Sequence, residues 1–166
     1  MADINTVEGG LSLYARAQEI LETVVDQAAA HLYDIPSRQY VTTGAPVYDC
    51  EAVSVTVMRV QTGNNGPETE LFAAGPGCAV AWSIIVEIAI TRCATVMSRG
   101  GTVSAAKLNK AFEISSRDTH LLQEVIDDLL LKSVGNMGAL IVPNEPSGEF
   151  VATVAQITLS AESAPW

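Results

Sequence analysis

Apolar residues recur at steps of three and four along residues 11–32: Leu13, Ala17, Ile20, Leu21, Val24, Ala28 and Leu32 fall on one stripe, with Glu19, Glu22 and Asp26 elsewhere on the wheel. That spacing predicts an amphipathic helix. Gly9-Gly10 before it and Asp34-Ile35-Pro36 after it supply start and stop signals, and the first ten residues read as a loose arm.

The period then changes. Residues 38–43 are short and β-prone, and end at Gly44-Ala45-Pro46, which predicts a strand followed by a turn. Residues 50–60 alternate, with Val53, Val55 and Val57 on one face and Ser54, Thr56 and Met58 on the other. Residues 61–77 are punctuated by turn formers at both ends and read as a long, exposed, mobile hairpin connection. Residues 78–92 form the longest predicted strand, with Val80, Trp82, Ile84, Val86, Ile88 and Ile90 opposite Ala79, Ala81, Ser83, Ile85, Glu87, Ala89 and Thr91. It is expected to pair antiparallel with the 50–60 strand.

Helical spacing returns over residues 104–132, through Leu108, Phe112, Leu121, Leu122, Val125, Ile126, Leu129 and Leu130. Ser104 is a candidate N-cap, Ser115-Ser116 a candidate break or kink, and Gly135 or Gly138 a candidate end. Residues 138–142, a turn at 143–148 and residues 150–159 predict a closing hairpin. The last strand places Val151, Thr153, Ala155, Ile157 and Leu159 on one face. The expected fold is α+β, a largely antiparallel β-sheet flanked by an N-terminal helix and a second long or kinked helix, in the order α-β-β-β-α-β-β. It forms one domain over residues 1–166, with a loose arm at 1–10 and a tail at 160–166 in which Trp166 is the one large apolar group.

Composition narrows the function. A chain of 166 residues and 17.5 kDa with 48% apolar residues can bury a core without a metal or disulfide framework. Its 17% charged residues fall below the roughly 25% usual for a soluble domain, so part of its apolar surface is expected to be covered by other subunits. The net charge of −10 argues against a nucleic-acid clamp, which needs Lys and Arg to neutralise phosphates. The N-terminal residues, with Asp3 and Glu8 and no basic start, do not read as a signal peptide, which predicts a cytoplasmic protein. The apolar run at 78–90 is interrupted by Ser83 and Glu87 and is shorter than the ~20 residues of a membrane span.

The sequence offers no residue to assign as catalytic, cofactor-binding or metal-binding. Cys50, Cys78 and Cys93 form no zinc or redox motif and are expected to be buried packing thiols, although Asp49 and Arg92 place a charge beside two of them. His31 and His120 sit in no metal or nucleophile motif and read as solvated or helix-capping. Glu113, Asp118, Glu124, Asp127 and Asp128 read as the exposed face of the second helix rather than an acid/base pair. Arg99-Gly100-Gly101-Thr102 lacks the context of a phosphate loop and reads as a turn. The chain is therefore expected not to be an enzyme.

The run Arg38-Gln39-Tyr40-Val41, then Gly44, then Tyr48-Asp49-Cys50-Glu51 leading into an alternating strand, resembles a pattern in neck and tail-completion proteins of siphophages infecting actinobacteria. Cys78, the strand ending in Arg92-Cys93 and the helix containing Asp118 are similar to the same group, the tail terminators, over residues 24–159. The proline that follows the cysteine in that pattern is Ala94 here. The resemblance implies a ring-shaped homo-oligomer, a hexamer, that caps the last ring of tail tube protein. Its other face would meet the head-completion or stopper protein of the neck. It further implies a place at the tail-neck junction of the virion, assembly in the host cytoplasm, no cofactor, no membrane contact, and a lumen through which DNA passes without specific binding. An acidic surface suits such a lumen and equally suits solubility alone. The competing readings are a stopper, a tail-completion protein, a tail tube subunit or, in a different class, a small α+β ligand-binding or enzyme domain.

Overall fold

The computed structural model describes residues 13–62, 82–93, 103–132, 138–147 and 150–161. Helix α1 spans Leu13–Ala30 and buries Ala17, Ile20, Leu21, Val24 and Ala28, the stripe its sequence spacing predicts. It stops short of residue 32 for a local reason. Tyr33 N donates to Ala28 O at 2.8 Å and Leu32 N to Ala29 O at 3.2 Å, the two bonds of a Schellman cap, and Leu32 takes the left-handed conformation (φ 55°) such a cap requires. Leu32, counted on the apolar stripe from its spacing, is 92% exposed.

The strands are β1 (Arg38–Thr43), β2 (Ala52–Thr62), β3 (Trp82–Cys93), β4 (Gly138–Ser147) and β5 (Phe150–Ala161). They form one sheet in the order β1-β2-β3-β5-β4. The β2–β3 pair is antiparallel, from Ala52 opposite Thr91 to Thr62 opposite Trp82, with a register shift between Val57 and Arg59. Strands β3 and β5 are antiparallel along their whole length, and β4 pairs antiparallel with β5. The fold is α+β with a mostly antiparallel sheet, as expected.

One pairing departs from the antiparallel scheme. β1 lies parallel to β2, Arg38 opposite Ala52 and Thr43 opposite Val57, although only residues 44–51 connect them. A parallel connection usually takes a dozen residues or more and a helix. Here the chain turns at Gly44 (φ 94°) and residues 44–51 carry it back to the start of β2.

Helix α2 spans Ala105–Lys132 as one uninterrupted α-helix, so Ser115-Ser116 neither breaks nor ends it. Ser115 is buried on the core side, and Thr119 Oγ1 donates to the Ser115 carbonyl at 2.8 Å. Ser104 caps the start: its Oγ accepts from Lys107 N at 3.4 Å. Gly138 opens β4 rather than closing the helix. β4 also runs through most of the predicted 143–148 turn, which shrinks to a register shift between Val142 and Glu145, and β5 takes in the first two residues of the predicted tail. The arm at 1–10, Cys78, residues 99–102, Trp166 and nearly all of the 61–77 connection lie outside the described residues.

α1 packs on β1 and β2, and α2 on β4 and β5, both on one face of the sheet. Ile20, Val24, Val55, Ile84, Ile88, Leu122, Leu129 and Ile157 meet there in one core. Cutting any of the larger ones to Ala is worth about 2–5 kcal/mol. The opposite face is built of smaller and more polar groups, among them Ser54, Thr56, Glu87, Ala89 and Thr91, all at most 3% exposed. No described helix is long and apolar enough to cross a membrane.

Candidate functional site

Of the described residues that carry the resemblance, Arg38, Asp49, Cys50, Glu51, Arg92, Cys93 and Asp118 gather at one end of the sheet, where β2 begins, β3 ends, α1 has just finished and α2 passes, while Val41 and Gly44 lie further along, beside Val55 and Val57. Residues 44–51 bring Tyr48, Asp49, Cys50 and Glu51 there. Tyr40 Oη donates to the Val47 carbonyl at 2.7 Å, and Arg38 pairs with Asp49, so both flanks of the returning segment are tied to β1. Glu51 then takes a left-handed conformation (φ 54°), which turns the chain into β2.

Two residues before Ala52 and two after Thr91, the extended register brings Cys50 and Cys93 together. They form a disulfide with Cα atoms 5.0 Å apart, spanning 43 positions of sequence. The expectation of buried thiols fails for both: Cys50 is half-buried and Cys93 exposed. Spacing could not reveal the pair, because the bond depends on the β2–β3 register and not on any local motif. The Cys50 and Cys93 sulfurs and a Glu51 oxygen lie within 4.8 Å of one another. With the sulfurs bonded to each other they are not thiolate ligands, and three donors fall one short of a structural zinc shell.

Arg92 is the hub. Its Nε donates to Asp118 Oδ2 at 3.1 Å and its Nη2 to Asp118 Oδ1 at 2.9 Å, a bidentate fork. Nη2 also donates to the Asp34 carbonyl at 2.8 Å, and Nη1 lies 3.6 Å from Glu51. Glu51 Oε1 accepts from Cys93 N at 3.3 Å. Asp118, expected on the exposed face of α2, is instead 4% exposed. Its phase gives the reason, since Asp118, Leu122, Val125 and Leu129 step down the same helix face. Burial holds its carboxyl above the ordinary carboxylate range, against the opposing pull of Arg92 and with Glu51 adding to the rise. Burial alone would lower the Arg92 guanidinium, but its hydrogen bonds and charge contact with Asp118, helped by Glu51 and Asp34, hold it above its ordinary value.

A second polar group sits on the sheet face away from the helices. Glu87 is 3% exposed and accepts from Tyr48 Oη at 2.8 Å and from Gln156 Nε2 at 3.1 Å. Gln156 faces Glu87 across β3 and β5 in register. A carboxylate inside an apolar strand was a signal the sequence offered, but its partners depend on topology.

The remaining candidates do not join these groups. His31 and His120 are exposed and form a ring cluster with Tyr33 at centroid distances of 5.6–6.1 Å, with Tyr33 Oη 3.3 Å from His120 Nδ1. Glu124 lies 3.6 Å from His120 Nε2, while Glu113 pairs with Arg117 one turn along the surface of α2. Asp127 is exposed and Asp128 half-buried. Together the sheet-end groups link chain segments and orient α2. Arg92 is occupied by Asp118, and the Cys50 and Cys93 sulfurs by each other.

The chain matches no protein-family model and no curated protein sequence.

Proposed function

We propose that this chain is a structural, non-catalytic virion subunit, the tail terminator of a long-tailed bacteriophage. It would form a closed ring, a hexamer, that caps the tail tube and joins it to the head-completion or stopper protein of the neck, leaving a channel for DNA. The observation that supports this reading is the convergence just described. Arg38, Tyr40, Gly44, Tyr48, Asp49, Cys50, Glu51, Arg92, Cys93 and Asp118 come from three separate stretches of sequence, at 38–51, 92–93 and 118. All but Gly44 take part in the linked contacts at the sheet end or its Tyr48–Glu87 neighbour. A pattern shared for structural reasons is expected to have that form: residues that fix the fold rather than residues that meet a substrate. The acidic balance fits a channel wall that does not hold DNA.

The test is electron microscopy of the purified protein mixed with tail tubes assembled from the same phage. Single rings at tube ends, with growth halted, are expected. Bare tube ends beside unassembled protein would count against the terminator role, and repeated stacking along the tube would identify a tube subunit instead.

A further inference from the structure

We propose that Cys50, Cys93 and Glu51 form a redox-gated zinc site. As a disulfide the two sulfurs tie the entry of β2 to the end of β3; once reduced, they take a zinc ion with Glu51 as the third ligand. The site belongs to the chain itself and does not depend on the ring reading above.

The three groups already converge: both sulfurs and a Glu51 oxygen lie within 4.8 Å of one another. Neighbouring residues of an extended strand point to opposite sides, so Cys50 and Glu51 would ordinarily diverge. The left-handed turn at Glu51 (φ 54°) lets both face one point, and it is a conformation that a residue with a Cβ seldom adopts. Cys93 arrives by register, since Ala52 lies opposite Thr91 and the two cysteines follow two residues out on each strand. With Cα atoms 5.0 Å apart, rotation about the Cα–Cβ bonds is enough to part the sulfurs to the ~3.8 Å that two thiolates on one zinc ion keep.

Recruiting Glu51 costs the fold little. Its side chain is 54% exposed and its contact with Arg92 is long, at 3.6 Å, while Arg92 keeps both oxygens of Asp118 and the Asp34 carbonyl without it. Glu51 Oε1 accepts from Cys93 N at 3.3 Å, which holds the carboxylate beside the Cys93 residue.

The chemistry balances in two steps. Cys93 and Glu51 are exposed and Cys50 half-buried, so a reductant can reach the bond. Two equivalents of a thiol reductant supply two electrons and two protons, leaving Cys50 and Cys93 as thiols and the reductant as its own disulfide. Zinc then displaces those two protons as both sulfurs bind as thiolates. Three protein ligands with water in the fourth position complete an open zinc shell, and the exposed side of the cluster admits the water. Two thiolates select zinc over calcium or magnesium, which take oxygen ligands.

The experiment uses the full-length protein carrying Cys78→Ala, so that Cys50 and Cys93 are its only cysteines. The protein is reduced with a thiol, freed of reductant by anaerobic gel filtration, and titrated with cobalt(II), which reports thiolate ligation by a near-ultraviolet charge-transfer band; zinc is then added to displace it. One metal ion per chain and two released protons are expected, with zinc raising the melting temperature of the reduced protein and not of the oxidised one. Glu51→Gln is expected to weaken zinc binding about 10- to 100-fold, since losing a ligand costs at least as much as losing a group that only orients one. Reduced protein that shows no charge-transfer band, or a zinc affinity unchanged by Glu51→Gln, would overturn the site. So would reduced protein that is unfolded by circular dichroism and that zinc does not refold. Tube capping is read separately, so none of these results decides the ring reading.

Discussion

Replacing Asp118 by Asn removes one negative charge from a site that is 4% exposed, while keeping the size of the side chain. Removing one partner of a buried ion pair usually costs about 3–5 kcal/mol, because the other charge is left uncompensated. Arg92 is less isolated than that: its side chain is 20% exposed, it keeps the Asp34 carbonyl at 2.8 Å, and Glu51 lies 3.6 Å away. The amide oxygen can also still accept one of the two bonds. The expected loss is therefore about 2–3 kcal/mol, which for a domain of this size lowers the melting temperature by about 5–10 °C. Urea unfolding followed by circular dichroism measures it. The double variant Arg92→Met/Asp118→Leu, which removes both charges and fills the space, should recover to within about 1 kcal/mol of wild type. An Asp118→Asn protein within about 0.5 kcal/mol of wild type at neutral pH would refute this account of the cluster.

Leu32 holds a left-handed cap position that is unfavourable for a side chain with a Cβ and places that side chain in water, so Leu32→Gly should raise stability by about 0.5–1 kcal/mol in the same unfolding assay. The disulfide closes a loop of 43 positions, for which the chain-entropy model gives about 4 kcal/mol as an upper value; reduction with excess thiol should lower the urea midpoint accordingly, and Cys50→Ser/Cys93→Ser should make it insensitive to reductant. Tyr48→Phe removes one of the two hydrogen bonds to buried Glu87 and should destabilise by about 1–2 kcal/mol, while in Glu87→Gln protein the same change at Tyr48 should matter less, read as a double-mutant cycle.

Periodicity carried most of the fold because each helix buries one stripe and the central strands, buried on both faces, put their larger apolar residues on the core face and smaller or polar ones opposite. The alternation of Val53, Val55 and Val57, and of Ile84, Val86, Ile88 and Ile90, is the alternation of the core face itself. The parallel placement of β1 was hidden because a strand's own pattern does not say which edge it joins, and residues 44–51 are fewer than such a crossover usually needs. Asp118 shows how residue type can mislead: grouped with its acidic neighbours it reads as solvated, yet its phase with Leu122 and Val125 already placed it on the buried stripe. Its partner Arg92 lies 26 positions away and was not legible. Cys50 and Cys93 were read as packing residues for want of a motif, when the β2–β3 register was enough to bring them opposite each other. Pro143 read as a turn because it cannot donate to a ladder, but β4 is an edge strand, where a proline and a register shift are tolerated.

One guanidinium ties four chain segments together at the sheet end. Arg92 binds the last turn of β3 to the exit of α1 through the Asp34 carbonyl, to the entry of β2 through Glu51, and to α2 through both oxygens of Asp118. A guanidinium fork is planar and makes two parallel bonds, so it fixes the orientation of the carboxylate as well as its distance, which a lysine in the same place would not do. The disulfide holds the adjoining strand ends together at the same level. Between Ala105 and Asp118 only Ser115 and Asp118 are buried, and Asp118 is the one held by an ion pair. The direction in which the first turns of α2 leave the sheet is therefore set at Asp118, so a buried ion pair that contributes little net stability for its desolvation still holds an angle.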